Sequence, residues 1–201
     1  MDSKKEQIVR AALKRFAHFG FQKTTMNEIA VDLNITKANL YYYYPDKNAL
    51  IIDVLECIAG SISAKEEELV DGYDGDLLKV INEMLDLRAE YMKEYYVLHL
   101  NESMEWVKGE GVANILVELL LKDIAVVNKL FTKAVEYGEL QLANIQQAAA
   151  SFCEIVRGLG LIRSITDIIS GMPNPTKVDE ILVSQKAAVS LIFSNKLNIT
   201  Q

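Results

Sequence analysis

Proline and glycine are scarce, at 3 and 10 of 201 residues. That weighs against collagen, a disordered low-complexity chain and a turn-rich β-sandwich. Cysteine is scarcer still. Cys57 and Cys153 stand far apart, each in an apolar run. Their number excludes a disulfide scaffold and a CxxC zinc or redox site, and both read as small apolar fillers. The two histidines, His18 and His99, have no ligand partners at metal spacing, so no metal and no cofactor is expected. The chain lacks GxSxG, a glycine-rich phosphate loop, HExxH, and any Ser or Cys paired with a histidine. It is therefore not read as an enzyme. It also lacks an 18-residue uncharged apolar run, and no apolar stretch follows Met1-Asp2-Ser3-Lys4-Lys5-Glu6. A reduced, cytoplasmic protein is the expectation.

What is present is ordinary for a soluble globular chain: 50% apolar and 24% charged residues. A chain this long can bury roughly 70% of the surface it exposes when unfolded, so it needs no covalent or metal staple. The net charge of −7 is unevenly spread. Residues 1–50 hold 8 basic and 5 acidic residues, whereas residues 51–201 hold 13 and 23. A small basic head on a larger acidic body follows, and an acidic body leaves any polyanion contact to the head.

Helical periodicity dominates. Ile8, Val9, Ala12, Leu13, Phe16 and Ala17 fall at i, i+3 and i+4 spacings, which predicts a helix over 3–19. Gly20 can end it, with Phe21 folding back on the last turn. Thr25-Met26-Asn27-Glu28 is a capping box that opens a short helix carrying Ile29, Ala30 and Leu33. Asn34 can take the left-handed conformation that ends it. Thr36 caps a second short helix from Lys37, and Pro45 stops that one. Asp46 then caps a helix from Lys47 to about residue 65. Two short helices separated only by Asn34-Ile35-Thr36 have helix-turn-helix spacing. Further helices are predicted at 76–96, 97–108, 112–137, 145–170 and 177–195. No segment shows sustained period-2 alternation, and no repeat of fixed period stands out.

Leu40 and Tyr44 are four apart and would point into the head. Lys37, Ala38, Asn39, Tyr41 and Tyr42 surround the other side. Lys37 can donate to guanine or phosphate, Asn39 can pair bidentately with adenine, and the Ala38 methyl can meet a thymine methyl. Tyrosine hydroxyls reach phosphate oxygens. Thr25 and Lys47 sit at helix N-termini, where free N–H groups suit a phosphate. Each feature alone also has a plain packing or capping explanation.

Taken together, Ile8, Phe16-Ala17, Gly20-Phe21, Thr24-Thr25-Met26-Asn27-Glu28-Ile29-Ala30 and Ile35-Thr36-Lys37 through Leu50 resemble the TetR family of bacterial transcriptional repressors. The run Leu40-Tyr41, Tyr44, Lys47 and Leu50 after a helix-turn-helix carries most of the likeness. The resemblance implies an all-α homodimer. A three-helix DNA-binding head (residues 1–46) would sit on a larger helical effector-binding and dimerisation body (residues 47–201). It implies phosphate contacts at Thr25, Thr36, Tyr41, Tyr43 and Lys47, and base-facing positions at Lys37, Ala38, Asn39 and Tyr42. The implied partners are a palindromic double-stranded operator, a second copy of the chain and a small-molecule effector that releases the DNA. The chain departs from the family pattern at Asn34 and Ala38, where Gly is common, and at Asp46, where Ser or Thr is frequent. The other function class left open is a helical dimeric protein–protein interaction module whose head does not bind DNA.

In the body, residues 145–170 and 177–195 carry wide apolar stripes. They fit either a core within one subunit or a dimer face, and the family resemblance selects the latter. Phe152, Ile155, Leu159, Ile162, Ile181 and Val189 are expected there. Arg88 interrupts an apolar stripe of Leu77, Ile81, Met84, Leu85, Tyr91, Met92 and Tyr95. Either it snorkels to the surface or pairs with a carboxylate of the protein, such as one on a neighbouring helix, or it faces a pocket and meets an acidic ligand group. With Tyr91, Tyr95, His99 and Trp106 it forms the candidate effector site. A small, partly apolar effector that is acidic or accepts hydrogen bonds is expected on that reading, acting by a shift of the helix that begins at Lys47. Glu66-Glu67-Glu68 reads as solvated surface.

Overall fold

The structure is a computed structural model, and it describes residues 3–95, 110–170, 174 and 176–194. Among these residues the secondary structure is helical. The elements are α1 (Ser3–Lys23), α2 (Met26–Asp32), α3 (Lys37–Tyr43), α4 (Lys47–Asp71), α5 (Leu77–Glu94), α6 (Glu110–Glu136), α7 (Ile145–Ser170) and α8 (Lys177–Phe193). The stretch 97–108, with His99 and Trp106, lies outside the described residues.

The local signals act where they were expected. The Thr25 hydroxyl accepts from the Glu28 N–H, and the Glu28 carboxylate accepts from the Thr25 N–H at 2.8 Å. Thr36 accepts from Asn39 N at 3.1 Å and Asp46 from Ala49 N at 2.8 Å. Each cap satisfies a backbone donor that the first turn leaves free. Asn34 is left-handed at φ 53°. Two helices run longer than predicted. Gly20 breaks α1 at φ 80°, yet helix resumes to Lys23. Phe21 folds back as expected, 4.9 Å from the Phe16 ring. The fourth helix continues past residue 65 to Asp71, because Glu66 and Val70 extend its buried face.

Two cores form. Ile8, Ala12, Phe16, Ile29, Leu40 and Tyr44 build the head core together with Leu50, Ile51 and Val54 of α4. The body core joins Val70, Ile81, Met84, Leu130, Phe131, Phe152, Val156, Val189 and Phe193. Phe131, Phe152 and Phe193 form a ring cluster with centroids 5.6–6.2 Å apart. Helix α4 contributes to both cores and so carries the head. Its C-terminal end is held by Lys133, whose ammonium donates to the Val70 and Asp71 carbonyls at 2.9 and 3.3 Å.

The structure corrects three expectations about the dimer face. Phe152, Ile181 and Val189 are buried within the chain itself, at 9%, 2% and 1% exposure. The reason is geometric: α7 and α8 are apolar on two sides, and these residues lie on the inward ones, Phe152 against the Phe131 and Phe193 rings, Ile181 beside Gly160 of α7 and Val189 in the body core. Ile155 and Ile162 do face outward, and Leu159 is half-buried.

Glu66 is a further correction. It is 1% exposed rather than solvated. Consecutive helical residues diverge by about 100°. Glu67 and Glu68 therefore stay in water while Glu66 turns inward with Val70.

Candidate nucleic-acid interface

Helix α3 is short, so its orientation depends on its anchors. Leu40 (0% exposed) and Tyr44 (2%) bury one side, and the Tyr44 hydroxyl donates to Asp53 on α4 at 2.6 Å. Thr36 closes the N-terminus. With that side fixed, Lys37, Ala38, Asn39, Tyr41 and Tyr42 all lie exposed on the opposite one. Tyr42 is 84% exposed. With the exposed Tyr41 beside it, two aromatic side chains stand on the solvent face of the anchored helix. The Tyr42 ring meets the half-buried Tyr43 ring edge-on at 5.3 Å, which limits its freedom. The Lys37 ammonium sits 5.6 Å from the Tyr41 ring centroid. An α-helix fits the roughly 12 Å wide major groove of B-DNA, and these side chains carry the donors and apolar groups that base edges and phosphates accept.

The flanking phosphate candidates differ among themselves. Thr36 is exposed at the start of α3. Thr25 is exposed too, but its hydroxyl donates to Glu28 at 2.8 Å. The Glu28 carboxyl is held below its ordinary range by the Thr25 backbone N–H, then by the Thr25 hydroxyl, with help from Arg15. Arg15 in turn reaches Asp32 at 2.7 Å and Glu28 at 3.3 Å, tying α1 to α2.

Lys47 is more committed. Its ammonium donates to the Phe21 and Thr24 carbonyls at 2.8 and 3.2 Å, and burial lowers its pKa. Two of its three hydrogens thus tie the start of α4 to the α1–α2 connection. Lys47→Met is expected to destabilise the protein by about 1–3 kcal/mol, the scale of hydrogen bonds from a charged group. The same change should leave the salt dependence of DNA binding unaltered. Thermal melts and a salt titration check this, since loss of a true phosphate contact lowers the slope by roughly one.

The effector constellation is divided by the structure. Arg88 does not meet a vacant pocket: its Nε and Nη2 donate to the two Glu66 oxygens, the second at 2.9 Å. Asp123 lies 3.6 Å from Nη1. Burial alone would lower the Arg88 pKa, but these carboxylates raise it. An acidic effector at Arg88 is therefore corrected to an internal ion pair. The cavity beside it, lined by Ile81, Met84, Leu85, Leu130, Phe152 and Val156 among others, has a volume of about 10 Å³, no more than a single water needs. Tyr91 lies with Lys65, whose ammonium is 5.0 Å from its ring. Tyr95 packs on the head core, and its hydroxyl is pushed up to about 12 by burial and by Glu94. Among the described residues no group of three or more metal-ligating side chains occurs, and no helix is long and apolar enough to cross a membrane.

Sequence reasoning counted Ile165 in the α7 apolar stripe but did not single out the outward set on the C-terminal helices. Leu161 and Ile165 on α7, and Val183 and Leu191 on α8, are 49–77% exposed. Val183, Ala187 and Leu191 form an i, i+4, i+8 stripe that was open to reading.

Comparison with known proteins agrees with this geometry. Residues 8–54 match the family model described as bacterial regulatory proteins, tetR family. The HTH-type transcriptional regulator RutR of Escherichia coli (strain K12) is 32% identical over 124 residues, 62% of this chain and 56% of that protein. The regulator AcrR of Shigella flexneri is 30% identical over 81 residues, covering 40% and 38%. The chain spans about half the length, or less, of these curated relatives. A crystal structure of a transcriptional regulator from Cytophaga hutchinsonii ATCC 33406 superposes with a TM-score of 0.83 at 24% identity, covering 98% of this chain and 99% of that one. At that identity the likeness shows the fold alone.

Proposed function

We propose that this chain, which belongs to the TetR family through residues 8–54, is a DNA-binding transcriptional regulator that acts as a homodimer and represses from a two-fold symmetric operator. The observation that carries the reading is the α3 surface: Lys37, Ala38, Asn39, Tyr41 and Tyr42 are exposed together on a helix anchored by Leu40, Tyr44 and Thr36. Lys37, Ala38, Asn39 and Tyr42 read bases; Thr36, Tyr41 and Tyr43 meet the backbone; Thr25 and Lys47 act mainly by holding α2 and α4 in place. The head comprises residues 1–46, and α4 joins it to the effector-binding and dimerising body. No catalytic role is assigned, and the protein works in the cytoplasm, where its DNA is.

Dimerisation uses the outward faces of α7 and α8, with Ile155, Leu159 and Ile162 joined by Leu161, Ile165, Val183 and Leu191. Apolar side chains this exposed on two adjacent helices are an unfilled contact. Two-fold pairing then presents two α3 helices to half-sites spaced by about one DNA turn, ~34–36 Å, or a multiple. Among the described residues the space beside Arg88 is small and apolar, and an effector there meets no free charge, because Arg88 is paired with Glu66. A neutral, largely apolar molecule fits that environment better than an acid.

The test is binding of the purified protein to the DNA flanking its own gene. Saturable binding whose logarithm falls linearly with log salt is expected. Retention no stronger than on random duplex at every salt concentration would leave the head as a protein-contact module instead.

A further inference from the structure

One charged residue from each of four helices forms a continuous chain through the body. Glu66 of α4 receives two donors from Arg88 of α5. Arg88 lies 3.6 Å from Asp123 of α6, and Asp123 accepts from Arg157 Nε of α7 at 3.0 Å. Glu66 is fully buried, Arg88 and Asp123 are about four-fifths buried, and Arg157 is the outermost member. Buried ion pairs seldom add net stability, because apolar residues of equal volume avoid the desolvation cost. What a planar guanidinium adds is direction where it donates hydrogen bonds, here Arg88 to Glu66 and Arg157 to Asp123. The 3.6 Å Arg88–Asp123 contact joins the two pairs by charge alone. Apolar packing is not directional. The elements joined here matter for that reason. Helix α4 contributes Leu50, Ile51 and Val54 to the head core. Helix α7 carries the exposed Ile155 and Ile162. Glu66 lies 12 residues from Val54, ~18 Å along a helix rising ~1.5 Å per residue. A tilt of about 10° at Glu66 would therefore shift the head by roughly 3 Å, which matters for a protein that must fit two half-sites at fixed spacing.

We propose that Arg88 is a positioning residue for DNA binding: through Glu66, Asp123 and Arg157 it fixes the angle of α4 relative to α7, and so the spacing of the two heads. This rests on the function proposed above. Arg88 touches no DNA, so random-sequence binding by each head is untouched and only the match to paired half-sites depends on it.

The experiment uses the full chain and its native cysteines. Cys57 is exposed on α4, whereas Cys153 is buried and burial pushes its thiol up to about 11. A nitroxide reagent therefore takes Cys57, and pulsed EPR reads the distance between the two α4 helices of a dimer. The double variant Glu66→Leu/Arg88→Met removes both charges at similar volume. It should melt near the parent temperature but show a Cys57–Cys57 distance distribution at least twice as broad. Operator affinity should fall tenfold or more, with random-duplex affinity within twofold of the parent. Asp123→Asn, which cuts the chain at its centre while keeping shape, should move the same readouts in the same direction, and it decides the matter should the double variant not fold. Operator affinity unchanged in a folded variant overturns the proposal and leaves a structural ion pair only. A parent that binds no DNA sinks the preceding function instead; an unbroadened distance distribution would then reject the positioning role on its own.

Discussion

Ile162→Glu is expected to yield a folded monomer of 22.6 kDa that has lost operator binding. Ile162 is 68% exposed in the single chain, and Leu161 beside it is 61% exposed. A carboxylate there costs the monomer almost nothing. In a two-fold interface the same carboxylate is buried from both copies without a partner, and an uncompensated buried charge costs about 3–5 kcal/mol. The isolated heads then bind one half-site at a time, and the gain from joining two sites vanishes. Ile181→Glu provides the contrast. Ile181 is 2% exposed within the chain, so that variant should lose its helical circular dichroism melt rather than only its partner. Sedimentation and melting of the two variants separate the outcomes. An Ile162→Glu protein that still sediments at twice the chain mass would move the interface elsewhere.

The second large effect lies at the recognition surface. Lys37→Ala and Tyr42→Ala should each weaken operator binding by about 1–3 kcal/mol, roughly 5- to 150-fold, with melting temperature unchanged. The fold is insensitive because both side chains are exposed and anchor nothing, whereas Leu40 and Tyr44 hold the helix. Binding to random duplex should change far less, since base contacts specify and phosphate contacts position. Fluorescence anisotropy on both duplexes reads the difference. Equal losses on operator and random DNA would mean that these residues meet the backbone and that bases are read elsewhere.

Most of the head was legible because its instructions are local. Thr25 with Glu28, Thr36 with Asn39, and Asp46 with Ala49 each act across three residues. Asn34 bends the chain by its own backbone. The inward direction of Leu40 and Tyr44 follows from helical spacing alone. Among the described residues the body was legible as helices, with α7 bounded as expected, but not as contacts. Arg88 finds Glu66 22 residues away on another helix, and Lys47 finds carbonyls 23 and 26 residues earlier. Periodicity carries no information about such partners. Three of the six dimer-face positions, Phe152, Ile181 and Val189, turned inward for a related reason. A helix that is apolar on two sides shows the same composition toward core and toward solvent, so Phe152 and Ile162 could not be told apart without the fold.

The central claim is that two copies of this chain read a two-fold symmetric DNA sequence through α3. Its most direct test is selection from a random-sequence duplex library by the purified protein, sequencing what is retained at rising salt. The account predicts enrichment of an inverted repeat whose half-site centres fall about one helical turn, or a multiple, apart. Tyr42→Ala should relax the preference at defined positions within each half. A library that emerges without any enriched motif, or with a single unpaired site, would contradict it.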